Sequence, residues 1–228
     1  MNLFGVLSEV YPTLLTGLTM TVKITILSLI IALVIGIFVC LMNISSNIVL
    51  RGIAKFYIWL IRGTPMLVQA FYFYFALPQL VQAVTGSQFR ITVFTASLVT
   101  LALNAGAYIS EIFRGSIESV NKGQMEAARS LGLSYGKSMR KVILPQAIRT
   151  MIPSIINQFI ISLKDTSILS VIGFPELTKA GNIIVGNTFK ALQVWGIVAV
   201  MYMVVIITLS RVAKRIERRI NVGKLEAN

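Results

Sequence analysis

The sequence predicts an all-α polytopic membrane protein with five transmembrane helices, and three observations support this fold class. Of the 228 residues, 56% are hydrophobic and 13% are charged, with a mean hydropathy of +0.81, whereas soluble domains carry about 25% charged residues. Apolar runs recur that are long enough to cross the hydrocarbon core, which takes roughly 20 helical residues. Basic residues fall between these runs. We predict one domain over 1–228, because no linker or repeat divides the chain.

Each long apolar run predicts one span. The spans lie at about 13–42, 53–80, 91–113, 147–172 and 192–210. Four of the five ranges contain charged residues. Arg62 lies close to Pro65 in the second span, and Lys164 and Asp165 are adjacent in the fourth. Turn residues at 85–87 separate the second and third spans, and a loop rich in glycine separates the fourth and fifth.

The distribution of basic residues predicts the orientation, because cytoplasmic loops carry an excess of Lys and Arg. With the amino end outside, fifteen Lys and Arg fall in cytoplasmic segments, and only Arg90, Lys179 and Lys190 fall outside. We therefore expect a multi-pass protein of the plasma or inner membrane, with its N-terminus outside and its C-terminus in the cytoplasm. This asymmetry accounts for the net charge of +13, so we expect no nucleic-acid partner.

Cysteine and histidine usage limits the possible chemistry. The chain has no histidine and one cysteine, Cys40, which lies inside an apolar run. A disulfide framework needs at least two cysteines, and zinc-type sites are built from several Cys and His side chains. The sequence therefore predicts neither, and we expect no metal site.

A polar, basic segment at 121–145, NKGQMEAARSLGLSYGKSMRKVILP, separates the third and fourth runs. Asn121 and Gln124 have the spacing of a capping box, and Gly132 suits the left-handed residue that ends a helix. We predict two short helices joined by a glycine elbow in a cytoplasmic loop over 115–146. From these residues alone, the loop could be a docking site for a partner or an amphipathic helix lying on the membrane surface without one.

This segment resembles the EAA loop of importer-type ABC transporter permeases. The resemblance lies in EAA at 126–128, Gly132 and VILP at 142–145. Val142 stands where that pattern has isoleucine, which is the one departure. The resemblance implies the type I ABC importer permease fold, with a coupling helix that docks in a cleft of an ATP-binding subunit. The residues expected at this contact and its elbow are Glu126, Ala127, Ala128 and Gly132.

The resemblance extends over nearly the whole chain. RGTP at 62–65, LNAGAY at 103–108, EIFRG at 111–115 and KDTS at 164–167 resemble the polar amino acid uptake branch. NQFIIS at 157–162, ELT at 176–178 and IERR at 216–219 are most similar to glutamine permeases, although arginine, glutamate and histidine relatives share most of the frame.

The same resemblance implies partners. These are two ATP-binding subunits, a second permease subunit in a homodimer, an extracytoplasmic amino acid-binding protein and the surrounding membrane lipid. GLSYGKS at 132–138 is similar to a phosphate-binding loop, but three residues separate its glycines where four are needed. We therefore expect a transport subunit and not an enzyme, with no cofactor bound by this chain and with ATP and Mg²⁺ on the partner subunit.

Polar residues at helical spacing predict a substrate pathway. Ionisable groups inside a bilayer cost about 2.5–3.5 kcal/mol on insertion scales, so they face partners or polar cavities. Polar side chains share one face of the third span and one face of the fourth, and two in the second span are seven residues apart and are predicted on the same side. The predicted pathway residues are Arg62, Gln69, Thr100, Asn104, Gln158, Lys164 and Asp165.

The charged members of this set have an alternative role. Arg62 paired with Asp165, or Lys164 paired with Glu111, would tie helices together without touching a ligand, and we favour this role for the charged residues. Asn104 and Gln158 favour the pathway, because neutral amides bind a zwitterion or a carboxamide with little desolvation cost.

Taken together, these features predict the membrane permease subunit of an ATP-driven importer that moves a polar amino acid inward by alternating access. The neutral amide of Gln158 favours glutamine, since relatives that carry cationic amino acids could use a carboxylate there. The alternatives are a permease for glutamate, arginine, histidine or cystine, and a secondary transporter. A secondary transporter would need its own ion-coupling site and typically shows inverted repeats, which the sequence lacks.

Overall fold

The computed structural model describes the backbone of residues 3–225 and the side chains of residues 10–217. The ends of the predicted domain, 1–2 and 226–228, lie outside the described residues, as do the side chains at 218 and 219. Within the described part the chain forms eight helices. They are α1 (Leu3–Asn43), α2 (Ile48–Gly63), α3 (Met66–Thr85), α4 (Val93–Glu118), α5 (Lys122–Ser130), α6 (Tyr135–Ile172), α7 (Leu177–Thr188) and α8 (Ala191–Leu225).

Five of these helices, within the described residues, are long and apolar enough to cross a membrane. They are α1 from Val10 onward, α3, α4, α6 and α8 as far as Glu217. This number confirms the five predicted spans. Two of the spans are not regular α-helix throughout, because α3 contains a π-helical turn at Tyr72–Ala76 and α6 contains one at Met139–Ile143.

The predicted second span, 53–80, is wrong as a single helix. α2 ends at Gly63, and α3 begins at Met66. Thr64 is extended, with φ −121° and ψ 143°, because the ring of Pro65 disfavours the helical region for the residue before it. Pro65 also lacks the N–H that would continue the helix. The span therefore runs over Met66–Thr85, and α2 is a separate helix.

The other observed helices extend beyond the predicted spans. α4 continues to Glu118, and α6 starts at Tyr135 instead of 147. Their polar ends keep the helical conformation outside the apolar run, which hydropathy alone does not detect. The predicted loop over 115–146 is consequently mostly helical, and only 119–121 and 131–134 connect its three helices.

Close packing of α1 on α4 forms the centre of the bundle. A Cβ on Gly36 would lie 2.5 Å from Cγ2 of Ile109, and one on Gly106 would lie 2.8 Å from Cγ2 of Ile35. The two helices approach closely because small residues stand at the contact, as is usual between membrane helices. The hydroxyl of Tyr57 on α2 donates to the carbonyl of Leu103 at 2.6 Å, which attaches α2 to the same helix.

A buried carboxylate fixes the start of α7. The side chain of Glu176 is fully buried and accepts hydrogen bonds from the backbone N–H groups of Thr178 and Lys179 and from the hydroxyl of Tyr202 on α8. Burial raises the pKa of Glu176 above its usual range, and these donors act in the opposite direction. The hydroxyl of Thr21 on α1 accepts from the N–H of Leu177, so three helices meet at this cap.

Candidate transport site and coupling surface

A cavity of about 530 Å³ opens where the α2–α3 break faces α4 and α6. The broken segment supplies one wall, and two intact helices supply the rest. Its lining combines a cation, an anion, two neutral amides and a tyrosine with apolar groups: Arg62, Gly63, Thr64, Pro65, Met66, Asn104, Tyr108, Gln158, Ile161 and Asp165. Four predicted pathway residues, Arg62, Asn104, Gln158 and Asp165, are thereby brought together.

Gln69 stabilises the wall of this cavity from behind. Its Nε2 donates to the carbonyl of Ile61 at 2.7 Å, to the carbonyl of Thr64 at 3.0 Å and to the Thr64 hydroxyl at 2.9 Å. The Thr64 hydroxyl in turn donates to the carbonyl of Leu60 at 2.8 Å. A helix end leaves its last carbonyls without intrahelical partners. Gln69 and Thr64 supply the missing donors at the end of α2.

The predicted common side for Arg62 and Gln69 is wrong. Arg62 lines the cavity, whereas Gln69 is buried and turned back toward the α2 carbonyls. The seven-residue spacing assumed an unbroken helix, and the extended residue Thr64 rotates α3 relative to α2. Thr100 is also fully buried, and its hydroxyl donates to the carbonyl of Ala96 within α4.

Asn104 connects the cavity to this support. Its Nδ2 donates to Oε1 of Gln69 at 3.1 Å, while the residue itself lines the cavity. On α6, Nε2 of Gln158 donates weakly to Oγ of Ser162 at 3.4 Å. Both amides thus sit in defined orientations at the cavity surface.

The charged side chains pair differently from either predicted alternative. Arg62 lies 3.5 Å from Oε2 of Glu111, and its guanidinium stands 5.3 Å from the ring centre of Tyr108. Asp165 and Lys164 form no ion pair with any residue the structure describes. Asp165 lines the cavity, whereas Lys164 is exposed and outside its lining. These pairings depend on how helices pack in three dimensions, which local spacing does not specify.

The segment between α4 and α6 has the predicted glycine elbow and the first of the two predicted short helices, α5. The second predicted helix is not a separate short one, because the chain after the elbow runs directly into the long helix α6 at Tyr135. Asn121 accepts a hydrogen bond from the N–H of Gly123 at 2.8 Å and caps α5. At the other end Gly132 has φ +82°, and the N–H groups of Gly132 and Leu133 donate to the carbonyls of Arg129 and Ala128. This is the Schellman arrangement, in which a residue without a Cβ is favoured.

One side of this segment is exposed and the other packs against the rest of the chain. Glu126 and Ala127 are exposed, whereas Ala128 is only 3% exposed and packs inward. Large apolar side chains follow on the outside, with Leu131 84% exposed and Tyr135 58% exposed. An exposed patch of this kind, rimmed by polar residues, is typical of a protein interface.

Two important features were missed from the sequence. The helix break was signalled by Pro65, which stood inside an otherwise apolar run. The Glu176 cap was not distinguishable, since a lone glutamate before an apolar run carries no sign that Tyr202 on another helix will donate to it. Within the described residues, no three Asp, Glu, His or Cys side chains are grouped as a metal site would require.

Comparison with known proteins accounts for this arrangement. Residues 32–222 match the family model described as binding-protein-dependent transport system inner membrane component. The chain belongs to this family. It is 43% identical over 211 residues to the glutamine transport system permease protein GlnP of Escherichia coli strain K12, covering 92% of this chain and 94% of that protein. It is 38% identical over 209 residues to the arginine transport system permease protein ArtQ of Bacillus subtilis strain 168, covering 92% and 93%.

A solved structure supports the same assignment. The crystal structure of an amino acid ABC transporter with histidines superposes with a TM-score of 0.89 at 39% identity, covering 96% of this chain and 99% of that one. Members of this family are multi-pass permease subunits of the inner membrane that work with ATP-binding and substrate-binding subunits. ATP hydrolysis belongs to the separate ATP-binding subunit. The type I importer fold and the coupling helix of the EAA loop follow from this membership.

Proposed function

We propose that this chain is the permease subunit of an importer for glutamine, and that the cavity beside the α2–α3 break is where the amino acid passes. The observation that carries this proposal is the composition of the cavity. It presents one cation, Arg62, one anion, Asp165, and two neutral amides, Asn104 and Gln158, to a space of about 530 Å³.

The charges suit the two ends of a zwitterion. Asp165 forms no ion pair with any described residue, so its carboxylate is available for an α-ammonium group. Glu111 pairs with both Arg62 and Arg114. The distance from Nη1 of Arg62 to Oε2 of Glu111 is 3.5 Å, which is longer than the roughly 2.7–2.9 Å of a strong charge-assisted hydrogen bond. The remaining donors of Arg62 can reach an α-carboxylate. An amino acid would thus replace solvent in a site whose charges are already in place.

The neutral amides suit the side chain of glutamine. A carboxamide offers a donor and an acceptor, and Asn104 and Gln158 offer the complementary groups. Neither amide changes charge on binding, so the desolvation cost stays small. A permease for a cationic amino acid, such as the arginine relative, would gain from a carboxylate at one of these positions. Gln158 is the residue that we assign to this discrimination.

The exposed side of α5 is the surface through which we propose that ATP hydrolysis is coupled to transport. We propose that two ATP-binding subunits bind ATP and Mg²⁺, that one of them receives Glu126, Ala127 and the Gly132 elbow, and that this chain binds no cofactor. A second copy of the chain completes the pathway, and an extracytoplasmic binding protein delivers the amino acid. ATP can drive the cycle only through a higher affinity for the state in which the ATP-binding subunits are closed.

Reconstitution tests the proposed function. The chain, its ATP-binding subunit and the binding protein are placed in vesicles, and glutamine uptake and ATP hydrolysis are measured together. We expect glutamine-loaded binding protein to stimulate both. Glu126→Lys and Gly132→Pro should leave the chain in the membrane and separate hydrolysis from uptake. Uptake without ATP, or normal uptake by both variants, would contradict the proposal.

Substrate choice is tested at Gln158. We expect Gln158→Glu to raise the affinity of the purified permease–ATPase complex for arginine relative to glutamine, measured calorimetrically without the binding protein so that delivery does not limit the result. Gln146→Glu is the matched control, because Gln146 lies exposed on the same helix and donates only to the carbonyl of Val142. Equal shifts in the two variants would remove Gln158 from the site.

Orientation is tested with cysteines. Cys40→Ser removes the sole cysteine, and a new cysteine is then placed at Ser134 or at Asn187, both of which are exposed. With the N-terminus outside, an impermeant maleimide added to whole cells should label position 187 and not position 134. The reverse pattern would invert the proposed topology.

A further inference from the structure

A second cavity, of about 610 Å³, lies at the end of the bundle where α1 and α4 stop and α2 begins. We call it the α2 pocket. We propose that it binds the phosphodiester headgroup of an anionic phospholipid such as phosphatidylglycerol, with the acyl chains lying along α2. The residues that carry this inference are Arg51, Lys55, Trp59 and Arg114.

The charge balance of the α2 pocket points to an anionic ligand. Its two carboxylates are occupied, because Arg114 contacts Glu111 at 2.9 Å and Glu118 at 2.5 Å. Arg51 and Lys55 also line the pocket, but neither forms an ion pair with any residue described in the chain. Two cations without an ion pair therefore face a space large enough for a headgroup, and the three basic and two acidic side chains of the lining leave a net charge of +1, which matches one phosphodiester.

Helix α2 presents an apolar face beside these cations. Arg51, Lys55 and Arg62 stand at positions i, i+4 and i+11, which form one stripe along a helix. On the adjoining face, Phe56 is 61% exposed and Trp59 is 70% exposed, and their ring centres are 6.1 Å apart. A basic stripe next to exposed aromatic side chains is the pattern of a helix at the membrane interface.

A lipid fits this surface better than a protein. A second permease subunit packed here would bury Arg51 and Lys55, and it would have to supply two carboxylates to offset the cost of desolvating them. A phospholipid supplies the anion and the apolar chains in one molecule. α2 also forms part of the transport cavity through Arg62, so a lipid on α2 would contact the element that shapes that cavity. This inference does not depend on which amino acid is carried.

The test uses Trp59 as the probe. The chain has two tryptophans, so Trp195→Phe leaves Trp59 as the sole emitter. The assembled transporter is placed in phosphatidylcholine vesicles that contain equal fractions of brominated phosphatidylglycerol or brominated phosphatidylcholine, and quenching is titrated. We expect stronger quenching by phosphatidylglycerol. Each cation near an anionic lipid surface contributes about fivefold in affinity, so Arg51→Gln with Lys55→Gln should lower the preference by about 25-fold.

Two controls separate a built pocket from general surface charge. Arg211→Gln with Lys214→Gln removes the same charge from exposed positions on α8 and should leave the preference unchanged. Arg51→Lys with Lys55→Arg keeps the charges and should also keep the preference, so that a loss in the glutamine variant follows from the missing charge and not from the change of side chain. Equal quenching by the two lipids overturns the proposal, as does an equal loss in both glutamine variants. Absence of quenching by either lipid would mean that a protein covers α2, and it also overturns the proposal.

Discussion

Replacing Gln69 by leucine should destabilise the α2–α3 junction more than any other single change of a buried polar residue near the cavity. Leucine has a side chain of about the same size as glutamine, and it cannot make any of the hydrogen bonds of the amide. The carbonyls of Ile61 and Thr64 and the amide of Asn104 would then each lose a partner. A buried polar group left without a partner costs about 1–3 kcal/mol. At the low end of that range, the three groups together cost about 3 kcal/mol.

Asn104→Leu provides the comparison. It removes a single hydrogen bond, to Oε1 of Gln69, and should cost about 1 kcal/mol. A change of 1 kcal/mol moves the thermal midpoint of a chain this size by about 2–4 °C. We therefore expect a decrease of about 6–12 °C for Gln69→Leu and about 2–4 °C for Asn104→Leu, measured by loss of the monodisperse chromatographic peak after heating.

The double variant makes this test sharper. Once Gln69 is leucine, Asn104 has already lost its partner, so adding Asn104→Leu should cost less than it does alone. Equal decreases for the two single variants, or fully additive decreases in the double variant, would show that Gln69 does not hold the break in the way described.

Three further predictions concern the coupling segment and the α7 cap. Ala127→Leu should leave the permease folded and reduce stimulated ATP hydrolysis, because Ala127 is exposed, whereas Ala128→Leu should overpack a buried site and cost about 1–3 kcal/mol in thermal stability. Gly132→Ala should cost about 1–2 kcal/mol in the same assay, because φ is +82°. Burial raises the pKa of Glu176, so its contribution to stability is complete below about pH 4.3, its unfolded pKa, and is lost as pH rises through the higher folded pKa. Glu176→Gln should therefore flatten the stability curve above pH 4.3, and an unchanged slope would contradict this.

The features that local chemistry determines were predictable from the sequence. Asn121 and Gly132 fixed the ends of α5, because capping and a left-handed elbow depend only on neighbouring residues. Asn104 and Gln158 line the cavity as predicted because each lies in a stretch of regular α-helix, Val93–Glu118 and Leu144–Asp165, where spacing gives the face correctly. The number of spans followed from the length of the apolar runs.

The features that depend on packing or on a break were not predictable. The pairing of Arg62 with Glu111 needs the packing of α2 on α4, and the capping of Glu176 by Tyr202 needs the packing of α7 on α8. The apolar run around Pro65 looked continuous because hydropathy measures composition and not backbone geometry. The residues before and after Pro65 were therefore assigned to one helical register, whereas the structure has two helices with different registers.

Gln69 differs from Asn104 and Gln158, the amides that we assign to the substrate, in how many of its hydrogen bonds are already made within the chain. An amide side chain offers two N–H donors and one carbonyl acceptor. The Nε2 group of Gln69 serves two backbone carbonyls and its Oε1 accepts from Asn104, so it has little capacity left for a ligand. Oδ1 of Asn104 and Oε1 of Gln158 accept from no residue that the structure describes. The two amides that we assign to the substrate are therefore those whose carbonyl oxygens no described residue has already taken.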